Sequence, residues 1–338
     1  MRYLLILLIS LISIPANAQI QPLKVITIRI GTIVPERSSW MNQIYRFNEF
    51  IKKETKGNLK FVWYTSGVAG DEPEIIEKLK RNELDGAGLS GMGLGRIVPD
   101  VRVLELPFLF NDYEEVDYVR SKISPLLSKI FNSKGYELIG WVDQGFVYFF
   151  SKDEFRDISQ IKGKRVWIWK EDPLAEALTE GFPEVTPYFE KVTLLKKILD
   201  EGIVDVIYFP PIGVISFQLY YGVKYVIVPP IVYGLGAFIV KKDVYDSLPD
   251  EYKEIIKRGA DEFFPQFVSD VRRETEESIS ALNKFGIKKV TLNEGTVSEL
   301  RNRMRKVYDG LIGKLYPQYL LTQVLNTLAQ FRVERTKR

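Results

Sequence analysis

The sequence predicts an α/β protein built as two lobes, with one long, kinked helix spanning both. Three observations carry that prediction. Residues 25–89 run through strand, helix, strand, helix and strand patterns, the order of a parallel α/β layer. A second run of the same kind begins near Tyr136. A helical pattern then covers residues 251–285, about 50 Å at ~1.5 Å per residue, too long for a single lobe.

In the first lobe, residues 25–30 (Val-Ile-Thr-Ile-Arg-Ile) alternate as a strand. After a loop at 31–39, residues 40–53 have helical spacing that ends at Thr55-Lys56-Gly57-Asn58, a C-terminal stop. Residues 59–64 form the next strand. Asp71-Glu72-Pro73-Glu74 opens a helix with acids in its first turn, where the helix dipole favours them. That helix reaches Arg81, and a strand follows at 86–89. In the second lobe, strands at 136–141 and 146–151 precede a strand at 166–169. Helices at 173–180 and 192–200, then strands at 204–209, 224–228 and 237–240, complete it. Leu248-Pro249-Asp250 starts the long helix, and Pro265 either kinks it or divides it into two. Residues 77–85 and 197–205 echo each other faintly: each is a helix end, a turn and an Asp entering a strand.

Composition removes several functions. Lys and Arg number 47 against 44 acids, a net charge of +3, and the charges are interspersed; nothing marks a nucleic-acid binder. There is no Cys and no His. Disulfides, thiol catalysis and Ser-His-Asp or Cys-His hydrolysis are excluded, and the commonest zinc ligand is missing. Residues 1–18 read as an export signal: Met1-Arg2, an apolar run at 3–14, then Ala16-Asn17-Ala18 as a cleavage site. A retained membrane anchor is the alternative. Cleavage would place the mature chain in the periplasm.

The stretch from Ile161 through Lys162-Gly163-Lys164-Arg165 to Val166-Trp167-Ile168-Trp169 is a turn followed by a buried strand. Residues two apart in a strand share a face, so Trp167 and Trp169 form a paired aromatic wall. Residues 201–210 (Glu-Gly-Ile-Val-Asp-Val-Ile-Tyr-Phe-Pro) again run a helix end into a strand. Further pieces are Pro35-x-x-Ser38, Thr55-x-Gly57, Leu84-Asp85, residues 105–110 (Glu-Leu-Pro-Phe-Leu-Phe), Gln144-Gly145 and Lys224-Tyr225. In this order, over nearly the whole mature chain, they resemble the DctP-like solute-binding proteins of tripartite ATP-independent periplasmic (TRAP) transporters. The resemblance implies a two-lobed periplasmic binding protein fold with a hinge, a small-molecule ligand between the lobes and a TRAP-type membrane permease as partner. It implies no catalysis and no cofactor. Its division of the chain is lobe I at 24–143 and 233–262, lobe II at 144–232 and 285–330, and a bridging helix at 251–285.

Three positions depart from the family pattern. The family's Gln-Gly-x-Arg turn ends here in Val147, its strand arginine is replaced by Trp167, and its Val-Asp-Gly-x-x-Asn-Pro places Phe209 where the asparagine stands. A guanidinium holds a carboxylate through two hydrogen bonds; Val and Trp cannot. The chain therefore reads as a divergent member lacking the carboxylate-binding arginines, with an apolar, amphipathic or aromatic ligand in place of an organic acid. Its candidate walls are Trp40, Trp63, Phe108, Phe146, Tyr148, Trp169, Tyr208 and Tyr233, beside Val147, Trp167 and Phe209; each aromatic is equally a core residue in waiting. Polar candidates are Ser39, Ser90, Gln144, Glu171 and Asp172. Glu171 and Asp172 precede Pro173, so they cap the next helix, or else take a hydroxyl, an amine or Ca²⁺. The alternative function is a ligand-sensing or partner-binding periplasmic protein that keeps the fold without transport.

Overall fold

A computed structural model describes residues 25–337; the export signal at 1–18 lies outside them. Strand β1 (Ile26–Gly31), helix α1 (Ser39–Glu54), β2 (Leu59–Tyr64), α2 (Glu72–Lys80) and β3 (Gly86–Ser90) follow the predicted order. β1 pairs in parallel with β2 and with β3, which requires a crossover helix between strands. Ser38 caps α1 by accepting a hydrogen bond from the Met41 N–H, and Asp71 caps α2 through the Glu72 N–H. Each cap satisfies a donor that the helix leaves unpaired. Helix α3 (Gly91–Ile97), a 3-10 helix at Pro99–Glu105 and α4 (Tyr113–Ser133) complete this half.

The chain then enters β4 (Tyr136–Ser151). β5 (Arg165–Trp169), α5 (Pro173–Thr179), β6 (Thr186–Glu190), α6 (Val192–Asp200), β7 (Val206–Phe209) and α7 (Pro211–Ser216) form the second half. β8 (Tyr225–Lys241) returns to the first. Sequence reasoning cut both β4 and β8 in two. Instead, each is one strand, and the two pair antiparallel from Tyr136↔Lys241 to Ser151↔Tyr225 with three register shifts. The Gln144-Gly145 turn signal is a bulge: the register slips between Asp143 and Gly145, and Gly145 sits at φ +85°. The sheet order is β2-β1-β3-β8-β4-β7-β5-β6, with β9 (Lys288–Thr291) on β8. Only β4 and β8 therefore carry the sheet from one half to the other.

Helix α8 (Lys242–Asp246) leads into α9 (Asp250–Lys284), one helix that retains Pro265. At ~1.5 Å per residue it is about 52 Å long. It packs on α1, β4 and α7, so it touches both halves. Helix α10 (Glu294–Gly310) contacts α5, whereas α11 (Gln318–Thr336) lies against α4 and the 3-10 helix. Arg332 fixes α11 there through Glu115.

Asp143, at the β4 bulge, is fully buried. It accepts from Arg120 of α4 at 2.5 Å, from Arg272 of α9 at 2.6 Å, and from the Tyr233 hydroxyl of β8. One carboxylate thus ties four elements at the crossing between halves. Removing one member of a buried ion network leaves the others uncompensated. Asp143→Ala is expected to lower unfolding stability by about 3–5 kcal/mol in chemical denaturation; a change under about 1 kcal/mol, the scale of an exposed pair, would contradict this.

Candidate functional site

β5 alternates as predicted. Trp167 and Trp169 point to one side, their ring centroids 6.1 Å apart. Val166 and Ile168 point to the other, where they join an apolar cluster with Val147, Phe149 and Ile161. Trp167 has 0% of its surface exposed, donates its indole N–H to the Glu190 carbonyl at 2.9 Å and packs on Tyr208 with centroids 5.1 Å apart. That is a satisfied core position. Val166 and Ile168 each keep 6% exposure, Phe149 8% and Trp169, on the other face, 9%. Their residual surface faces a cavity.

The cavity offers about 210 Å³ to the centre of a water molecule and crosses both halves. Its first end is formed by Trp40, Ile44, Trp63, Phe238 and Phe267. Its waist carries Ser90, Arg102, Phe108, Gln144, Asp172 and Phe209. Its second end lies between the sheet and α5, walled by Val147, Phe149, Phe155, Val166, Ile168, Ala175 and Phe182.

Of the residues named from sequence, Trp40, Ser90, Phe108, Gln144, Val147, Trp167, Trp169, Asp172, Tyr208 and Phe209 are brought together in the lining. Phe146, Tyr148 and Tyr233 are not among its lining residues. Val147 faces the cavity, so its strand neighbours face away. Phe146 packs on Tyr113 and Tyr233, with centroids 4.8 and 6.0 Å off. The Tyr233 hydroxyl belongs to the Asp143 cluster.

The waist holds a buried charge cluster that sequence reasoning missed. Arg102 donates from Nη2 to both oxygens of Asp172 at 3.0 Å and pairs through Nη1 with Glu105 at 2.8 Å. Glu105 also accepts from the Leu235 N–H at 3.0 Å, and burial pushes its carboxyl up to about 7. Glu72 accepts from the Ser90 N–H and hydroxyl and from the Gly93 N–H, each at 2.7 Å; burial raises it to about 7. Gly91-Met92-Gly93-Leu94-Gly95 makes room for all three side chains. A Cβ at Gly91 would stand 1.8 Å from Glu105 Oε2, at Gly93 2.5 Å from Glu72 Oε2, and at Gly95 2.6 Å from Arg102 Cδ. The available signal was Arg102 and Glu105 standing alone in the apolar run 101–110; charges in such a run are buried and paired.

Asp172 caps α5, accepting from the Leu174 N–H at 3.0 Å, and also binds Arg102. Glu171 pairs with Arg96 at 3.3 Å. Both carboxylates are thus engaged by arginines from the other half. Trp169 crosses the same gap, its indole N–H 3.3 Å from Asp71 Oδ2.

The architecture agrees with that of known proteins. The family model described as bacterial extracellular solute-binding protein, family 7 (DctP), matches residues 30–314. A solute-binding protein of Verminephrobacter eiseniae is 26% identical over 66% of this chain and 67% of its own length. The C4-dicarboxylate-binding periplasmic protein DctP of Rhodobacter capsulatus is 22% identical over 81% of each. Among solved structures, the sugar acid binding protein DctPAm of Advenella mimigardefordensis, in complex with galactonate, superposes with a TM-score of 0.84 at 19% identity, over 91% of this chain and 99% of that one. A TRAP periplasmic solute binding protein of Desulfovibrio salexigens, with bound orotic acid, gives 0.82 at 20% identity, over 90% and 99%. With the family model spanning most of its length, this chain belongs to the DctP family of bacterial extracellular solute-binding proteins, whose members bind solutes and are not enzymes.

Proposed function

We propose that this protein is the periplasmic receptor of a TRAP-type transport system and that its solute is apolar, amphipathic or aromatic rather than a small organic acid. The observation that carries the second half is the state of Arg102. The cavity's cation already pairs with Asp172 through Nη2 and with Glu105 through Nη1, leaving its buried Nε without an acceptor among the described residues, and Val147, Trp167 and Phe209 bring no charge to the wall. A carboxylate buried there without a partner costs several kcal/mol. The structural relatives named above hold galactonate and orotic acid; this chain shares their fold, and its own lining is what supports a different solute. Residues 1–18 act as the export signal, and the delivered solute passes to a TRAP-type membrane permease.

The lobes close about the β4–β8 crossing, near Gln144 and Tyr233, where bulges interrupt the register. Lobe I comprises 25–143 and 233–262, lobe II 144–232 and 285–317, and 251–285 bridges them; α11, which the sequence reading placed in lobe II as far as residue 330, packs on α4 and moves with lobe I. Arg102–Asp172, Arg96–Glu171 and Trp169–Asp71 are the contacts that closure makes. Ligand walls are Phe209, Val147, Trp169, Phe108 and Trp40, with Ser90, Gln144, Tyr208 and Asp172 beside them. Trp167 backs this wall from the core.

Calorimetry with succinate, galactonate and pyruvate is expected to show no micromolar binding, whereas the neutral fluorophore N-phenylnaphthylamine binds and brightens. Micromolar affinity for any of the acids would sink the proposal.

Two aromatic truncations separate wall from core. Trp167→Ala is expected to cost about 3–5 kcal/mol of stability and to leave the affinity of the surviving fold for that fluorophore largely unchanged. Phe209→Ala is expected to weaken it about tenfold, from ~50 Å² of lost contact at ~25 cal/mol per Å². Reversed outcomes in melting and titration would assign the ligand contact to Trp167.

A further inference from the structure

Resting on the reading of an apolar-ligand receptor, we infer that the solute is an uncharged amphiphile with a single slender tail, that the tail runs behind β5 into lobe II, and that its polar end accepts a hydrogen bond from Trp40 in lobe I. The direction comes from the strands. Trp169, at the end of β5, touches Asp71 of lobe I and marks the mouth. Val166 lies three residues back along the strand, about 10 Å deeper at ~3.3 Å per residue. Phe149, Ala175 and Phe182 line this depth with it. Its polar lining atoms are few: the Thr179 hydroxyl donates to the Glu176 carbonyl, and the Tyr208 hydroxyl accepts from the Trp169 N–H. Lobe II therefore presents an apolar slot between sheet and helix, a space that water does not fill well and an alkyl chain does.

The other end is different. Four tryptophans line the cavity. Trp63 donates to Asn48, Trp167 to Glu190 and Trp169 to Asp71. The Trp40 Nε1 is buried and has no acceptor among the described residues. A buried donor without a partner is costly, and a ligand oxygen would supply the missing acceptor. The charge of the waist sets the class of that oxygen. Arg102 is shared between Glu105 and Asp172, with Glu72 in the same lining, so a hydroxyl, ester or ether is accommodated where a carboxylate would have to compete with acidic side chains for one cation.

The test uses the mature protein and straight-chain primary alcohols from butanol to decanol, titrated by calorimetry, with decanoate as the charged control. Affinity is expected to rise about fourfold per added methylene, and decanoate is expected to bind at least tenfold more weakly than decanol. Ala175→Phe, which fills the lobe II slot, should weaken decanol at least tenfold while leaving butanol unchanged; Ala175→Leu gives the same direction should the larger variant fail to fold. Trp40→Phe should weaken every alcohol by a similar factor without changing the chain-length slope. A flat slope, an Ala175→Phe effect equal at all lengths, or decanoate binding as tightly as decanol would overturn the inference. If no alcohol binds while an organic acid does, the underlying reading of the site falls with it.

Discussion

The shared charge of Arg102 organises this molecule more than any other interaction. Its guanidinium comes from the 3-10 helix of one lobe and holds Asp172 at the head of α5 in the other. Three consequences follow. The lobes are tied across the cavity. The roof of the lobe II slot is anchored, because the same Asp172 caps the helix that covers it. The positive charge of the cavity is shared, since Asp172 and Glu105 both pair with the one arginine. Deleting one partner of such a buried group is far costlier than deleting an exposed pair, so the cluster constrains sequence around it. The three glycines between Ser90 and Arg96 are part of that constraint, each leaving space for a charged side chain.

Much of the fold was legible from periodicity and stop signals. The first β-α-β-α-β run was placed within a residue or two, because each helix there begins at a side-chain cap and each strand alternates. The long helix was legible too; Pro265 left its continuity open, and packing on α1, β4 and α7 settles it as one element. The errors fell on β4 and β8. Gln144-Gly145 carries ordinary turn chemistry, yet antiparallel pairing absorbs it as a bulge, and β8 runs on as one strand through Pro229-Pro230 although β4 leaves that stretch unpaired. Local propensity cannot see a partner strand supplied some ninety residues away, as the pairing of Phe146 with Tyr233 requires.

The site was legible in outline and misread in detail. Alternation correctly put Trp167 and Trp169 on one face of β5, but it cannot say which of two apolar faces borders a void. Both faces reach the cavity lining: Trp167 is wholly buried, Trp169 keeps 9% exposure, and Val166 and Ile168 keep 6% each. Phe146, Tyr148 and Tyr233 were drawn in by aromatic character alone, whereas strand parity from Val147 turns Phe146 away. Arg102 was overlooked because its neighbours matched a family pattern, although a lone cation in an apolar run implies a buried partner.

The central claim is that a cavity whose cation is shared between two carboxylates receives an uncharged apolar solute. Native mass spectrometry of the protein isolated from its own periplasm tests this most directly, because it identifies what the cavity holds without any choice of probe. The account predicts one neutral amphiphile bound per chain, released on unfolding. A bound sugar acid or dicarboxylate would contradict it.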